Sequence, residues 1–295
     1  MPRPCISVSV ARLGSLFFVA GISIWPLSIA QAQVLIPHTP QLSATDMERD
    51  GLTVAQEALQ LAQFQQFNEA LIRAKLAAQL APQAYEVWAL LGGLYLTVSQ
   101  PAEAIPALNT SIALNQKNAG VYFSLGSAYF RTGAYQDAAR ALEQGLALRS
   151  DVAEEWFNLG NAYLKLNQNP KAIAQYRQAL KSDKKFWPAL NNIGLLQYEQ
   201  GDIPQAIRSF QAAVALDNKA GEPKLALAVG LFRQGQVQQG INTALVALRL
   251  DSRYIEPDFQ RENLWGERLM ADTKALFANP QVQELIQTLQ ADVGQ

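Results

Sequence analysis

The stretch "EEWFNLGNAYLKLN", Glu154 to Asn167, decides the fold. Its Asn and Glu residues could line an active site, or the stretch could be one packing unit of a chain built by repetition. The neighbours decide for repetition. Trp156, Leu159, Gly160 and Tyr163 have counterparts 34 residues ahead in Leu190, Ile193, Gly194 and, one place late, Tyr198. Stepping back gives Tyr122, Leu125, Gly126 and Tyr129, then Trp88, Leu91, Gly92 and Tyr95. A second set follows in phase: Ala172, Tyr176 and Ala179 answer to Ala206, Phe210 and Ala213 ahead, and to Ala138, Leu142 and Gly145 behind. Weaker units extend the register at both ends without an insertion, so six units run 51–84, 85–118, 119–152, 153–186, 187–220 and 221–254.

The pattern has a helical period. Trp156, Leu159 and Tyr163 stand at i, i+3 and i+7, on one face of a helix. Glycine inside a helix costs about 1 kcal/mol relative to alanine, so Gly160 needs a packing reason. Gly160 and Ala172 are small where two antiparallel helices must approach closely. Gly133 and Gly201, with Asn167 at the matching place, mark the turns between paired helices. Residues 255–295 leave the register and read as a capping helix, a turn near Asn279-Pro280 and a last helix. Residues 33–50 hold Pro37 and Pro40 without periodicity and read as a linker.

The signature W-x2-L-G-x2-Y followed by A-x3-F-x2-A at this period resembles the tetratricopeptide repeat. The resemblance implies an all-α, right-handed α-solenoid of helix-turn-helix units, whose first helices line a concave groove that takes a peptide or a partner helix. It also implies where contacts come from: the second, fifth, sixth, ninth, twelfth and thirteenth places of a unit. Carried onto this sequence, those places hold Phe123, Ser127, Phe130 and Arg131, then Phe157, Asn158, Asn161, Leu164 and Lys165. The next two units add Asn191, Asn192, Leu195 and Tyr198, then Leu225, Val229 and Phe232. Asn side chains donate and accept toward a ligand backbone, and the aromatic residues offer anchor pockets. Exposed, those aromatics form a patch that needs a cover, from a partner or from the chain's own ends. Relatives that clamp a C-terminal carboxylate do so with Lys and Arg. On units four to six Phe157, Glu222 and Ala226 stand in those cationic places, which excludes a carboxylate in that register.

Composition narrows the function classes. The chain has 295 residues, 49% of them hydrophobic and 17% charged, with a net charge of −1. Losing residues 1–32 removes Arg3 and Arg12 and no acid, which leaves −3. That balance argues against a nucleic-acid partner. Cys5 is the single cysteine and His38, in "IPHTP", the single histidine. These counts exclude disulfides within one chain, Cys-based zinc, multi-His metal sites and His triads. No phosphate loop or dinucleotide fingerprint occurs, so the reading is a non-catalytic protein without cofactor or metal. Glu154 and Glu155 complement a helix dipole. In "RENLWGERLMADTK" the alternating Arg261, Glu262, Glu267, Arg268, Asp272 and Lys274 read as a solvated helix face. Asn109-Thr110-Ser111 forms a glycosylation sequon inside an expected helix.

The N-terminus carries an address. Arg3 and Arg12 precede an apolar run over 13–30, and Ala30-Gln31-Ala32 has the form of a cleavage site. A cleaved signal peptide and a retained membrane anchor both fit. Both place the remainder outside the cytoplasm: a periplasm, or a thylakoid membrane or lumen. The tail "NLWGERLMADTKALF", with this leader and the Gln-rich repeats, resembles cyanobacterial repeat proteins of photosynthetic membrane biogenesis, some of which assist photosystem assembly or tether protochlorophyllide oxidoreductase. The expected function is a scaffold or assembly factor that binds a protein client. The alternatives are a structural member of a bacterial envelope assembly complex and an enzyme-regulating adaptor.

Overall fold

The computed structural model describes residues 43–293, and these form helices alone. Six helical pairs follow the repeat: α1 (Ala44–Gln63) with α2 (Phe67–Leu80), α3 (Tyr85–Thr97) with α4 (Pro101–Leu114), and α5 (Ala119–Arg131) with α6 (Tyr135–Leu148). Then come α7 (Ala153–Lys165) with α8 (Asn169–Ser182), α9 (Trp187–Glu199) with α10 (Ile203–Leu216), and α11 (Gly221–Arg233) with α12 (Val237–Leu250). Partners in a pair pack most extensively, and each second helix packs on the first helix of the next pair. The result is the superhelix of a repeat array, all-α as the sequence implies.

The glycines are contact points. A Cβ on Gly160 would meet Tyr176 Cδ1 at 2.6 Å, and one on Gly194 would meet Phe210 Cδ1 at 2.7 Å. Gly126 faces Leu142 and Gly92 faces Leu108 in the same way. Wherever the second helix brings a large side chain, the first helix has none to oppose it. Buried alanines, among them Ala104, Ala138, Ala172 and Ala206, keep the two backbones close. Trp88 and Trp156 each lock a unit to the loop before it, donating from Nε1 to the carbonyls of Pro82 (2.9 Å) and Ser150 (2.8 Å).

Every intra-repeat turn uses one left-handed residue in the same place. Gly133, Gly201 and Gly235 hold φ of 81°, 87° and 89°, and Asn167, Ser99 and Gln65 hold 58°, 58° and 61°. Glycine and asparagine tolerate that region, whereas Ser99 and Gln65 adopt it at a cost.

The ends differ from the sequence expectation. Helix α1 starts at Ala44, so 44–50 of the expected linker is helical, with Ser43 Oγ accepting from the Asp46 N–H (3.1 Å). At the outer face of repeat one, Glu57 occupies the place of Leu91, Leu125 and Leu159, and lies 3.7 Å from Arg73. Both side chains are half exposed, so this place is polar and solvated in repeat one where the next repeats bury a leucine. At the other end the expected single capping helix is broken. A 3-10 turn (Ser252–Ile255) leads to α13 (Pro257–Glu262), α14 (Glu267–Phe277) and α15 (Pro280–Val293). The break falls where Leu264 turns left-handed, at φ 67°, just before Gly266. The expected leader, 13–30, lies outside the described residues. Among those described, no helix is long and apolar enough to cross a membrane.

Candidate functional site

First helices of successive repeats touch one another (α1 with α3, α3 with α5, α5 with α7, α9 with α11), while second helices make no comparable contacts among the described residues. The first helices therefore lie on the shorter, concave side. The sixteen residues inferred for the groove all lie on α5, α7, α9 and α11. The structure divides them in two.

The C-terminal half of the groove is filled by the chain itself. While α15 closes the end of the array against α12, α14 packs on α9 and α11. Leu195, Tyr198, Leu225 and Val229 are at most 2% exposed, in one core with Trp265, Leu269 and Leu276. Phe232 packs against the edge of that core. These five are not open to a partner, because their apolar surface is spent on the cap. Polar contacts fix its position. Glu199 accepts from the backbone N–H groups of Arg268 (3.2 Å) and Leu269 (2.9 Å), placing a carboxylate on the N-terminus of α14. This suits the helix dipole. Asp272 accepts from Tyr198 Oη at 2.8 Å and lies 3.6 Å from the Arg233 guanidinium. Burial, and then the Asp272 carboxylate, push the Tyr198 phenol up. Trp265 donates from Nε1 to Glu222 Oε1 at 3.0 Å. Burial pushes the Glu222 carboxyl above its ordinary 4.5, against the pull of hydrogen bonds from Trp265, Asn191 and Tyr254.

The expected solvated helix face holds for Arg261, Glu262, Glu267, Arg268 and Lys274, which are exposed. Asp272 is the exception, half-buried in the dock, and Arg268 joins the dock through its backbone N–H alone. Arg261 pairs locally with Asp258 at 2.8 Å, and Glu262 turns toward the groove. The signal was present in Leu269, Thr273 and Leu276, an apolar stripe at i, i+4 and i+7, all at most 1% exposed. The alternating charges beside it masked that stripe.

The open half spans repeats three and four. A groove of about 900 Å3 is lined by Phe130, Arg131, Phe157, Asn161 and Lys165, and it ends against Glu262, Asn263 and Leu264. Tyr135 and Pro188, not foreseen from sequence, also line it. Ser127 and Asn158 border a smaller hollow beside it, about 70 Å3, which Phe130 and Asn161 share. Phe130 packs edge-on to Tyr135 at 5.2 Å, and Phe157 packs against Phe186 at 5.4 Å. Leu164 is half-buried beside them. Phe123 is instead buried: its ring fills the space over Gly145 and lies beneath the Arg149 guanidinium.

The asparagines form an internal network. Tyr176 Oη (2.8 Å) and Asn192 Nδ2 (3.0 Å) both donate to Asn161 Oδ1. Asn191 donates to Asn192 at 3.3 Å, and both are buried. These amides tie α7, α8 and α9 together. Asn161 still reaches the groove, and Asn192 reaches it from below. Asn158 donates to Glu155 at 3.1 Å, and burial raises the Glu155 carboxyl pKa. Arg131 donates to Leu96 O (2.8 Å) and Ser99 Oγ (3.2 Å), bridging to repeat two. Both Arg131 and Lys165 are exposed.

A concave helical array with a preformed groove defines an interaction scaffold. Residues 90–154 and 157–223 match the tetratricopeptide repeat family, across the stretch where the 34-residue period is read. Two crystal structures of MamA are similar at 27% and 25% identity. They cover 55% and 59% of this chain and 95% and 94% of their own, with TM-scores of 0.53 and 0.55. PilF of Pseudomonas aeruginosa shares the fold at 18% identity, over 73% of this chain and 99% of its own, with a TM-score of 0.58. No curated protein matches the sequence. Tetratricopeptide repeats bind protein partners and are typically non-catalytic.

Proposed function

We propose that this chain is a non-catalytic scaffold or assembly factor that holds a client peptide or helix in the open groove of repeats three and four. The observation that carries this reading is the division of the groove. One half is filled by α14, and the other offers Phe130, Phe157, Asn161 and Lys165 without a cover among the described residues. Residues 13–30 supply the address: export, with or without retention in a membrane. Photosynthetic membrane biogenesis is the finer setting, supported by the tail resemblance. The rival setting, an envelope assembly complex, is supported by the same leader. The test is affinity capture from solubilised membranes with wild type and a Phe157→Ala/Lys165→Glu variant. The variant is expected to lose a specific partner that wild type retains. Identical partners for both would sink the proposal.

A further inference from the structure

The way repeats five and six hold α14 describes a seat for a helix, and that seat recurs two repeats back. In the occupied seat the second place of repeat six is an acid, Glu222, which accepts from the Trp265 indole. The twelfth place of repeat five is an aromatic, Tyr198, and the thirteenth of repeat six a cation, Arg233, and both engage Asp272. Two repeats earlier those three places hold Glu154, Phe130 and Lys165: an acid, an aromatic and a cation in the same order. One repeat earlier the order fails, because Pro188 replaces the acid and Glu199 the cation. The second seat therefore begins where the first ends, along one continuous groove.

Resting on the groove reading above, we propose that this second seat binds an acidic amphipathic helix of a partner protein, in the mode of α14. Charge specifies the partner. Glu199, which holds the N-terminus of α14, is replaced in the second seat by Arg131, whose recorded contacts are a carbonyl and a hydroxyl. A helix placed there brings a carboxylate in its first turn for Arg131 and a second, about one turn later, for Lys165. Ahead of them stands an aromatic donor for Glu154, and Leu or Met fill the apolar stripe over Phe157. Glu154 and Glu155, in the first turn of α7, disfavour acids at the donor end, which sets the direction of the helix.

The test uses peptides of this chain's own residues 264–279 and the purified full chain. One peptide is native. The other carries Arg268→Glu, which replaces the first-turn cation and leaves two acids, Glu267 and the new glutamate, for Arg131. The substituted peptide is expected to bind at least about tenfold more tightly than the native one, and to weaken as ionic strength rises. Lys165→Glu in the chain is expected to cost it about tenfold, and Arg131→Glu to reverse the preference between peptides. Both substituted side chains are exposed, and thermal melts check that each variant folds. Equal affinity for the two peptides, or binding that responds to Arg233→Glu instead of Lys165→Glu, overturns the second seat. A Thr273→Pro peptide that binds as well as its parent overturns the helical mode while leaving the groove reading intact. The groove reading itself falls if client capture is also unchanged by Phe157→Ala/Lys165→Glu.

Discussion

Two glycines in the first helices should respond to the same substitution with opposite signs. Gly160 lies under Tyr176, which is fully buried. A Cβ there would sit 2.6 Å from Cδ1 and 3.1 Å from Cζ of that ring. The ring cannot swing aside without breaking the bond from its hydroxyl to Asn161 and leaving its place against Phe157. Overpacking of this kind costs about 1–3 kcal/mol, and a strained or lost hydrogen bond about 1 kcal/mol each. Alanine returns about 1 kcal/mol of helix propensity. Gly160→Ala should thus destabilise by about 1–3 kcal/mol. Gly93 also lies inside a helix, but nothing stands within 4 Å of where its Cβ would be. Gly93→Ala keeps the propensity gain alone and should stabilise by about 0.5–1 kcal/mol. Urea unfolding followed by tryptophan fluorescence reads both, because Trp88 shares α3 with Gly93, and Trp156 shares α7 with Gly160. A Gly160→Ala midpoint at or above wild type at unchanged slope would refute the close-approach reasoning. So would both variants moving in one direction.

Other outcomes follow from the turns and the cap. Gln65→Gly should stabilise by about 0.5–1 kcal/mol, since a non-glycine residue at φ 61° costs about 1–2 kcal/mol and glycine returns part of that as chain entropy, and a melt checks it. Leu269→Ala should cost about 2–5 kcal/mol through the cavity it leaves, and limited proteolysis should then cut between α13 and α14 before it cuts the repeats. Glu222→Gln tests the buried carboxyl. Its folded pKa is raised, so protonation favours the docked cap: that contribution is complete below 4.5 and is lost as pH rises through the raised value. The variant should therefore match or exceed wild type at neutral pH and lose the advantage as pH falls toward 4.5, and melts across that range measure the difference.

The legible parts of the fold were those governed by local pattern. Gly160, Trp156 and Tyr163 have counterparts that do the same packing work in the central repeats, so the spacing revealed the helix pairs, and the family resemblance implied the inner face. The turn residues were half legible: Gly133 and Gly201 announce a left-handed turn, while Gln65 and Ser99 take it because the array imposes it. The docking of α14 in the groove was not legible, because a charge on its sequence has two possible causes. Charges on a solvated face and charges that dock a helix look alike until their partners are known. Glu199 and Tyr198 are close to seventy residues or more away from the groups they engage.

The sequence by itself determined the repeat and its period, because these depend on contacts within one repeat or between adjacent ones, and the family resemblance it carries implied which helices and residues face a partner. Tertiary structure decided which of those residues are free. Leu195, Tyr198, Leu225 and Val229 have the same placement in their repeats as Ser127, Phe130, Phe157 and Asn161, yet the first group is core and the second lines open space. The difference lies in α14, a segment outside the repeat, whose position depends on apolar burial and on hydrogen bonds between distant parts of the chain. No periodicity encodes where such a segment comes to rest.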